Sequence, residues 1–326
     1  MTDLIVAPVD IKWQPDLAIY ASEAFLKSES DQFGWIGGTD DKGKVRCVLP
    51  YTIIRKAGFR MIRFRTETIP LGGELDLDEE RSFLKSVVQC FRSTGADMII
   101  PSGNTAVFRT YPEGAAAAPY GTFIIDLDQT EEVLISEIRK TYRQNIRKAM
   151  AAGVQIRCGL EYLDTSYRLI AETLERSGVA FKTYDEFKRR VLALGEYAKI
   201  FVAEYKGVVH GCMVSPFSQH TAYNCYAGSR PEPVVGAMHL LHWEAIRQFR
   251  TMAVRHFDFQ GVRINPDKGS KQEGIMTYKR GFGGRLVQGY MWKYSLRSLK
   301  SVGYSVGVRL LKGGDIVDRE HHKLVS

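Results

Sequence analysis

Apolar positions recur along this chain with two different spacings, and the change from one to the other marks out the elements. Val45-Arg-Cys-Val-Leu49 and Thr52-Ile-Ile54 lead into the turn Arg55-Lys-Ala-Gly58, and Phe59 to Phe64 follow. β-branched and aromatic residues on both sides of a glycine-containing turn predict a hairpin. Leu84, Val87, Val88 and Phe91 then fall at helical spacing, which predicts a helix over 76–94 stopped by Gly95. Residues 96–100 read as a short buried strand closed by Pro101. Residues 111–119 read as a loop and 120–127 as another strand.

From Asp128 the pattern becomes helical. One helix is expected over 128–152, with Asp128 as N-cap, Glu131 completing a capping box, and Gly153 in the left-handed C-cap position. Helices follow over 164–177 and 184–194. Strands at 198–205 and 208–215 flank the two-residue turn Lys206-Gly207. A strand at 220–227, a helix at 236–250, a strand at 254–259, a short helix ending near Gly281 and a strand at 285–294 complete the series. The order from 164 is that of a GNAT acyltransferase domain. The hairpin, helix and strand of the first half fit a divergent copy, on element order alone. The expected fold is therefore mixed α/β: a first GNAT-like domain over 1–127 plus 295–326, and a second over 128–294. No long heptad hairpin interrupts either. Leu296, Leu299, Val302, Val306 and Leu310 predict a last helix over 295–312, with Arg297, Lys300, Arg309 and Lys312 mostly off the stripe. It packs on the first domain or lies on a membrane surface.

Composition narrows the class. Of 326 residues, 44% are hydrophobic and 25% charged, as in ordinary globular proteins. No apolar run reaches the ~18 residues of a membrane span, and Met1 to Lys12 lacks the basic start of a signal peptide, so a cytoplasmic, monomeric protein is expected. Cys47, Cys90, Cys158, Cys212 and Cys225 are scattered and odd in number, the usage of a reducing compartment. The net charge of +8 admits nucleic acid, anionic lipid or phosphorylated molecules as partners.

The distribution of that charge is more telling. Arg139-Lys-Thr-Tyr-Arg-Gln-Asn-Ile-Arg-Lys148 holds five basic residues and no acid. Leu134, Ile138, Tyr142, Ile146 and Ala149 form the stripe expected to be buried, so Arg139, Lys140, Arg143 and Arg147 face away from it, with Lys148 at the end of the run. A solvated charged face is the plain reading. The missing acids favour a phosphate backbone as partner. Tyr226 to Leu241 joins a strand to a helix N-terminus, where a GNAT enzyme holds the pyrophosphate of coenzyme A. Ser229, Arg230 and Gly236 suit that role, whereas Pro231 and Pro233 remove two N–H donors. In His256-Phe-Asp-Phe-Gln-Gly261, Phe257 and Phe259 face one way and Asp258 the other. Asp258 is a structural cap or a catalytic carboxylate. Lys279, near the end of the short helix, is a surface lysine or a charge aimed at a developing oxyanion. His239 and His242 lie three apart with no further ligand at a metal spacing, so no metal is expected, and core packing is the plain reading.

Several segments in order, Thr141 to Ala149 before Gly153, Glu175-Arg-Ser-Gly178, Ala203-Glu-Tyr-Lys-Gly207, Tyr223 to Ser229, Phe257 to Gly261 and Tyr278-Lys-Arg-Gly-Phe-Gly283, resemble the Fem family of aminoacyltransferases. The resemblance spans about 120–290. It implies tandem GNAT-like domains of the armless type, an aminoacyl-tRNA donor, no cofactor, and an amine acceptor such as a peptidoglycan precursor. It places Lys279 at the reacting centre, assisted by Asp258. It maps acceptor contacts onto Lys182, Tyr184, Tyr226, Ser229 and Arg230. The basic face, Arg139, Lys140, Arg143, Arg147 and Lys148, is then the tRNA contact. The family's first-domain acceptor lysine has no counterpart in Gln32-Phe-Gly-Trp-Ile-Gly37. Two other readings stay open: an N-acyltransferase using a coenzyme A thioester, and an RNA-binding protein without catalysis.

Overall fold

In the computed structural model, residues 4–297, 300 and 314–325 are described. The first part runs β1 (Ile5–Val9), α1 (Glu23–Glu29), β2 (Phe33–Thr39), β3 (Val45–Lys56), β4 (Phe59–Phe64), β5 (Ile69–Pro70), α2 (Leu77–Ser93) and β6 (Met98–Ile99). Asp76 caps α2 in a full capping box with Glu79, and Phe83, Leu84, Val87, Val88 and Phe91 bury its apolar face. That face packs on Ile36, Leu49, Ile62 and Phe64 of the strands.

The chain continues through β7 (Ala116–Asp126), α3 (Glu131–Glu137), α4 (Lys140–Ala152), β8 (Gln155–Cys158), α5 (Leu163–Glu175) and α6 (Tyr184–Ala193). Next come β9 (Ala198–Tyr205), β10 (Val208–Pro216), β11 (Thr221–Tyr223), β12 (Tyr226–Ser229), α7 (Ala237–Thr251), β13 (His256–Asp258), β14 (Val262–Arg263), α8 (Lys271–Arg280), β15 (Arg285–Ser295) and α9 (Ile316–Val325).

Two sheets organise these elements. The larger has the path β1-β2-β3-β4-β6-β15-β7-β13-β11, and the smaller is β12-β10-β9-β8. β15 joins the parts of the larger sheet. Its Arg285–Lys293 stretch pairs antiparallel with β7, and its last residues, Tyr294 and Ser295, pair with Ile99 and Met98 of β6. Trp292 of β15 is buried in the core under α2, against Phe64 and Phe108.

The strand expected at 220–227 is divided. Thr221 to Tyr223 pair in parallel with His256 to Asp258, whereas Tyr226 to Ser229 pair antiparallel with Val214 to Gly211 in the other sheet. Asn224 and Cys225 lie at the crossing. The Asn224 N–H still donates to the Asp258 carbonyl at 2.9 Å, and beyond it the chain leaves the larger sheet. The two sheets splay apart from this point.

The single helix expected over 128–152 is two. Thr130, not Asp128, caps α3. Ile138 and Arg139 take extended conformations between α3 and α4. Tertiary contacts outweigh local periodicity here: Ile138 is buried, and the Arg139 N–H donates to the carbonyl of Gly281 at 2.9 Å. The expected stripe is buried at Leu134, Ile138, Ile146 and Ala149 and half-buried at Tyr142, and Gly153 forms the left-handed cap. The loop expected over 111–119 gives way to β7 from Ala116, because Ala116 to Pro119 find partners in Lys293 to Tyr290. β1, β2, α1 and β8 had no clear signal in the pattern. Most of the terminal helix expected over 295–312 falls outside the described residues. Ser295 closes β15, and Leu296 is buried beside α2.

α4 crosses the start of α7 closely. Gly236 has φ +83°, and a Cβ there would lie 2.0 Å from the backbone oxygen of Asn145. Both the left-handed backbone and the approach of α4 require glycine. Gly236→Ala is therefore expected to destabilise the protein by about 2–3 kcal/mol. Urea denaturation checks this, and an unchanged midpoint would show that α4 and α7 do not meet as described.

Candidate active site

The site begins with strand alternation. Phe257 of β13 and Phe123 and Ile125 of β7 enter the core, so His256, Asp258, Thr122 and Ile124 take the opposite face. The pairing register sets Tyr223, Asp258, Ile124 and Arg285 in one row across four strands, and Thr122 beside Val287 in another. Glu67 and Asn104 to Val107 cover this face and enclose a cavity of about 240 Å³.

Asp258 lies on the cavity wall. Its Oδ1 accepts hydrogen bonds from the Thr122 hydroxyl and from the Gln260 N–H, the latter at 2.6 Å. Burial raises its pKa, against the pull of these bonds and of Lys279. Lys279 approaches from α8. Its Nζ donates to the carbonyls of Gln260 and Gly261, the latter at 2.9 Å. Burial pushes this amine down to about 8, with Asp258 opposing. The left-handed backbone of Gln260, φ 54°, accompanies this turn. The Gln260 amide also donates to the Tyr20 hydroxyl at 2.5 Å, and Tyr20 packs on Tyr223 with ring centroids 4.5 Å apart. One residue thus connects the lysine, the carboxylate and the N-terminal part of the chain.

The end of α8 is fixed by aromatic packing. Phe282 is 1% exposed and meets the rings of Phe259, Tyr278, Tyr142 and His242 at 5.1–5.4 Å. A Cβ on Gly281 would fall 2.1 Å from the Tyr142 ring, so only glycine lets α4 come this close. His242 is a core histidine. Its Nδ1 lies 2.8 Å from the Met238 carbonyl, which makes it the donor and leaves Nε2 to accept from the Asn224 amide at 3.0 Å. Among the described residues no group of His, Cys, Asp and Glu could hold a metal ion.

A second charged cluster joins α1 to α6. Glu29 pairs with Arg65 at 2.8 Å and with Arg190, and Arg190 donates to the Tyr226 hydroxyl at 2.5 Å. Burial acts to raise Glu29, but Arg190 and Arg65 outweigh it and hold the carboxyl below its ordinary range. Lys182 sits 5.2 Å from the Tyr226 ring centroid, and burial followed by Arg190 pushes it down to about 8.

The residues singled out from sequence therefore separate into groups. Lys279 and Asp258 share the Gln260 turn. Lys182 and Tyr226 meet each other and Arg190. Tyr184 stands apart at the start of α6, its hydroxyl bonded to Asp164. Ser229 is tied through its backbone to Thr173 and Arg176 of α5, and Arg230 is exposed and donates to the Val209 carbonyl. Neither lines the cavity. On α4, Arg139, Lys140, Arg147 and Lys148 are exposed, whereas Arg143 turns back to donate to the carbonyls of Ile135 and Ser136. Sequence reasoning missed Glu67, Gln260, Tyr20, Glu29, Arg65 and Arg190. Gln260 lay inside a quoted motif, but the others carry no local signal.

The FemAB family model matches residues 106–207. This segment holds β7, α4, α5 and α6, with Lys182 just before α6 and Arg190 on it. The match covers about a third of the chain. Its fold is similar to the crystal structure of FemX, with a TM-score of 0.66 at 14% identity over 88% of this chain and 94% of that one. It is also similar to the C-terminal domain of a putative lysylphosphatidylglycerol synthetase from Agrobacterium fabrum. There the TM-score is 0.53 at 12% identity, over 90% of this chain and 93% of that one. No curated protein matches in sequence. The fold is mixed α/β, a large mixed sheet beside a small antiparallel one, with no coiled-coil arm among the described residues.

Glu67 gives the candidate site a measurable pH signature. It has surface open to the cavity, yet protein surrounds it, and burial pushes its carboxyl up to about 7. An unfolded glutamate titrates near 4.3. The folded state thus binds the proton more tightly, and stability present below about 4.3 is lost as pH rises through about 7. Glu67→Gln is expected to shrink the difference in urea midpoint between pH 5 and pH 8. An unchanged difference would place the titrating group elsewhere.

Proposed function

We propose that this protein is an aminoacyltransferase that moves an amino acid from aminoacyl-tRNA to an amine. One observation carries this reading. The segment that presents Lys279 beside Asp258 ends at Gly281, whose carbonyl receives the N–H of Arg139, the residue that leads into the exposed basic helix. A phosphate backbone lying on α4 has its acyl-bearing end within reach of a partly desolvated lysine. The FemAB family match over residues 106–207 and the likeness in fold to FemX support the same reading.

The chemistry needs no covalent enzyme intermediate. The amine nitrogen attacks the ester carbonyl, a C–N bond forms, and the ester C–O bond to the tRNA ribose breaks. The amine gives up one proton, for which Asp258 is the nearby acceptor, and the departing ribose oxygen takes one up. Lys279 supplies positive charge to the tetrahedral oxyanion, in a setting where burial strengthens its effect. The second half, 128–294, then carries the chemistry, and the first, 1–127, covers it. Lys182 and Tyr226, backed by Arg190, are the anchor for an acceptor bearing phosphate, such as a cytoplasmic peptidoglycan precursor. Transfer from coenzyme A is disfavoured by the Asn145 carbonyl. It lies against the start of α7, where a pyrophosphate would need N–H groups free of a neighbouring negative dipole.

Incubation with a mixed pool of radiolabelled aminoacyl-tRNAs and candidate amines, followed by mass analysis, tests the activity. An amide product is expected, and label arriving only from acetyl-CoA would overturn the assignment. Lys279→Met is expected to lower turnover about 100-fold or more while leaving the tRNA dissociation constant nearly unchanged. Near-normal turnover would remove Lys279 from the mechanism. Wild-type turnover should fall as pH rises through about 8, where Lys279 loses its proton. Replacing Lys140 and Arg147 together by alanine should reduce the slope of log affinity for tRNA against log salt by about two. Arg143→Ala should leave that slope unchanged, since this side chain is spent on the end of α3.

A further inference from the structure

The cavity beside Asp258 has a composition that the transfer chemistry alone does not explain. Its walls come from both halves of the molecule: Glu67 from the residues after β4, Asp258 from β13, Tyr223 from β11 and Thr122 from β7. At about 240 Å³ it is smaller than the pockets that enclose a whole drug-sized ligand, so it takes a fragment of a few heavy atoms. The fragment's charge follows from what surrounds it. Glu67 and Asp258 interact across the cavity, and each is kept from ionising freely by its surroundings. The other titratable and charged groups on the lining are His220, His256, Tyr223 and Arg285. His220 is held neutral, pushed down to about 4 by burial and by His256. Tyr223 is neutral because burial raises its hydroxyl. Arg285, exposed at the start of β15, lines the cavity but makes no ion pair with either carboxylate among the described residues. Lys279 is bonded to the Gln260 and Gly261 carbonyls and is not among the residues lining the cavity. Two carboxyls thus face one small space, and among the described residues no cation is paired with either of them across it.

We propose that this cavity is a recognition pocket for a primary ammonium group, held between Glu67 and Asp258 on a small amino-acid-like fragment. The inference rests on the aminoacyl-transfer reading and deepens it, because both substrates of such a reaction carry an amine. The donor offers an α-ammonium next to its ester carbonyl. The acceptor offers an amine on a longer stem. In either case the carboxylates bind the charged form. Asp258 and Lys279 also adjoin the place where the carbonyl must react, so the pocket fixes which end of the fragment faces them. Binding is pH-dependent: the pocket gains negative charge as Glu67 ionises, and affinity for an ammonium rises with pH through about 7.

Direct binding tests this without reference to catalysis. Alaninamide represents the donor end, and Nα-acetyl-lysine methylamide represents an acceptor amine. Their N-acetylated counterparts, neutral at the same nitrogen, are the controls. Chemical-shift titration of the full chain at pH 8 is expected to show one of the two amines binding at least tenfold more tightly than its acetylated control. Alaninamide winning assigns the pocket to the donor, and the lysine derivative winning assigns it to the acceptor. Glu67→Gln should weaken that binding at least tenfold and abolish its rise between pH 6 and pH 8. Equal affinity for amine and acetylated control, or no binding of either amine, overturns the inference. The comparison on the wild-type chain stands even if a variant fails to fold. An amine that binds as expected in a protein that transfers no amino acid from tRNA would overturn the transferase reading and leave the pocket intact.

Discussion

One strand in this molecule belongs to two sheets, and the active-site architecture depends on that division. Up to Tyr223 it is held by Asp258's strand, and from Tyr226 onward by β10. Backbone hydrogen bonds are obligatory in a buried strand, so the departure at Asn224 and Cys225 needs compensation. The Asn224 N–H retains the Asp258 carbonyl, and its side-chain amide is taken by His242. The wedge that opens is filled from the N-terminal part of the chain: Tyr20 packs on Tyr223 and receives the Gln260 amide. Without the divergence of the sheets there would be no room for Tyr20, and Gln260 would have no partner on that side.

The same turn sets the electrostatics. A lysine whose Nζ is bonded to two backbone carbonyls is fixed in place by the fold itself. Removing it from bulk water lowers its pKa toward neutrality, and the nearby aspartate limits how far. The Glu29, Arg65 and Arg190 cluster works differently. There opposite charges satisfy one another, and the net effect keeps all of them ionised near neutral pH. The first centre holds groups close to titration, the second holds fixed charge. This difference suits proton transfer in one and anchoring of an anion in the other.

The sequence revealed these features unevenly. Helices with an apolar stripe and a cap, such as α2 and α7, were legible because burial and periodicity agree in them. Alternation in Phe257-Asp258-Phe259 gave the right side for Asp258. The break at Ile138 and Arg139 was not legible, because its cause is a carbonyl of Gly281 more than a hundred residues away. Glu67 was invisible for a related reason. In Thr66-Glu67-Thr68 nothing distinguishes it from a surface glutamate, and its environment is created only when the later strands arrive. The basic face of α4 was read correctly as a stripe, but Arg143 was counted with it. Whether a long side chain reaches outward or folds back onto a helix end is decided by the neighbouring helix rather than by the 100° rule.

The position of β15 in the chain bears on how the protein emerges from the ribosome. β6 and β7 lie on either side of β15, so until residues 285–295 have been synthesised both present an open edge. All the strands from β1 to β14 must be made before the larger sheet can close. Unpaired strand edges invite pairing with other chains. The nascent protein therefore passes through a long interval in which chaperone protection matters more than the stability of the finished fold.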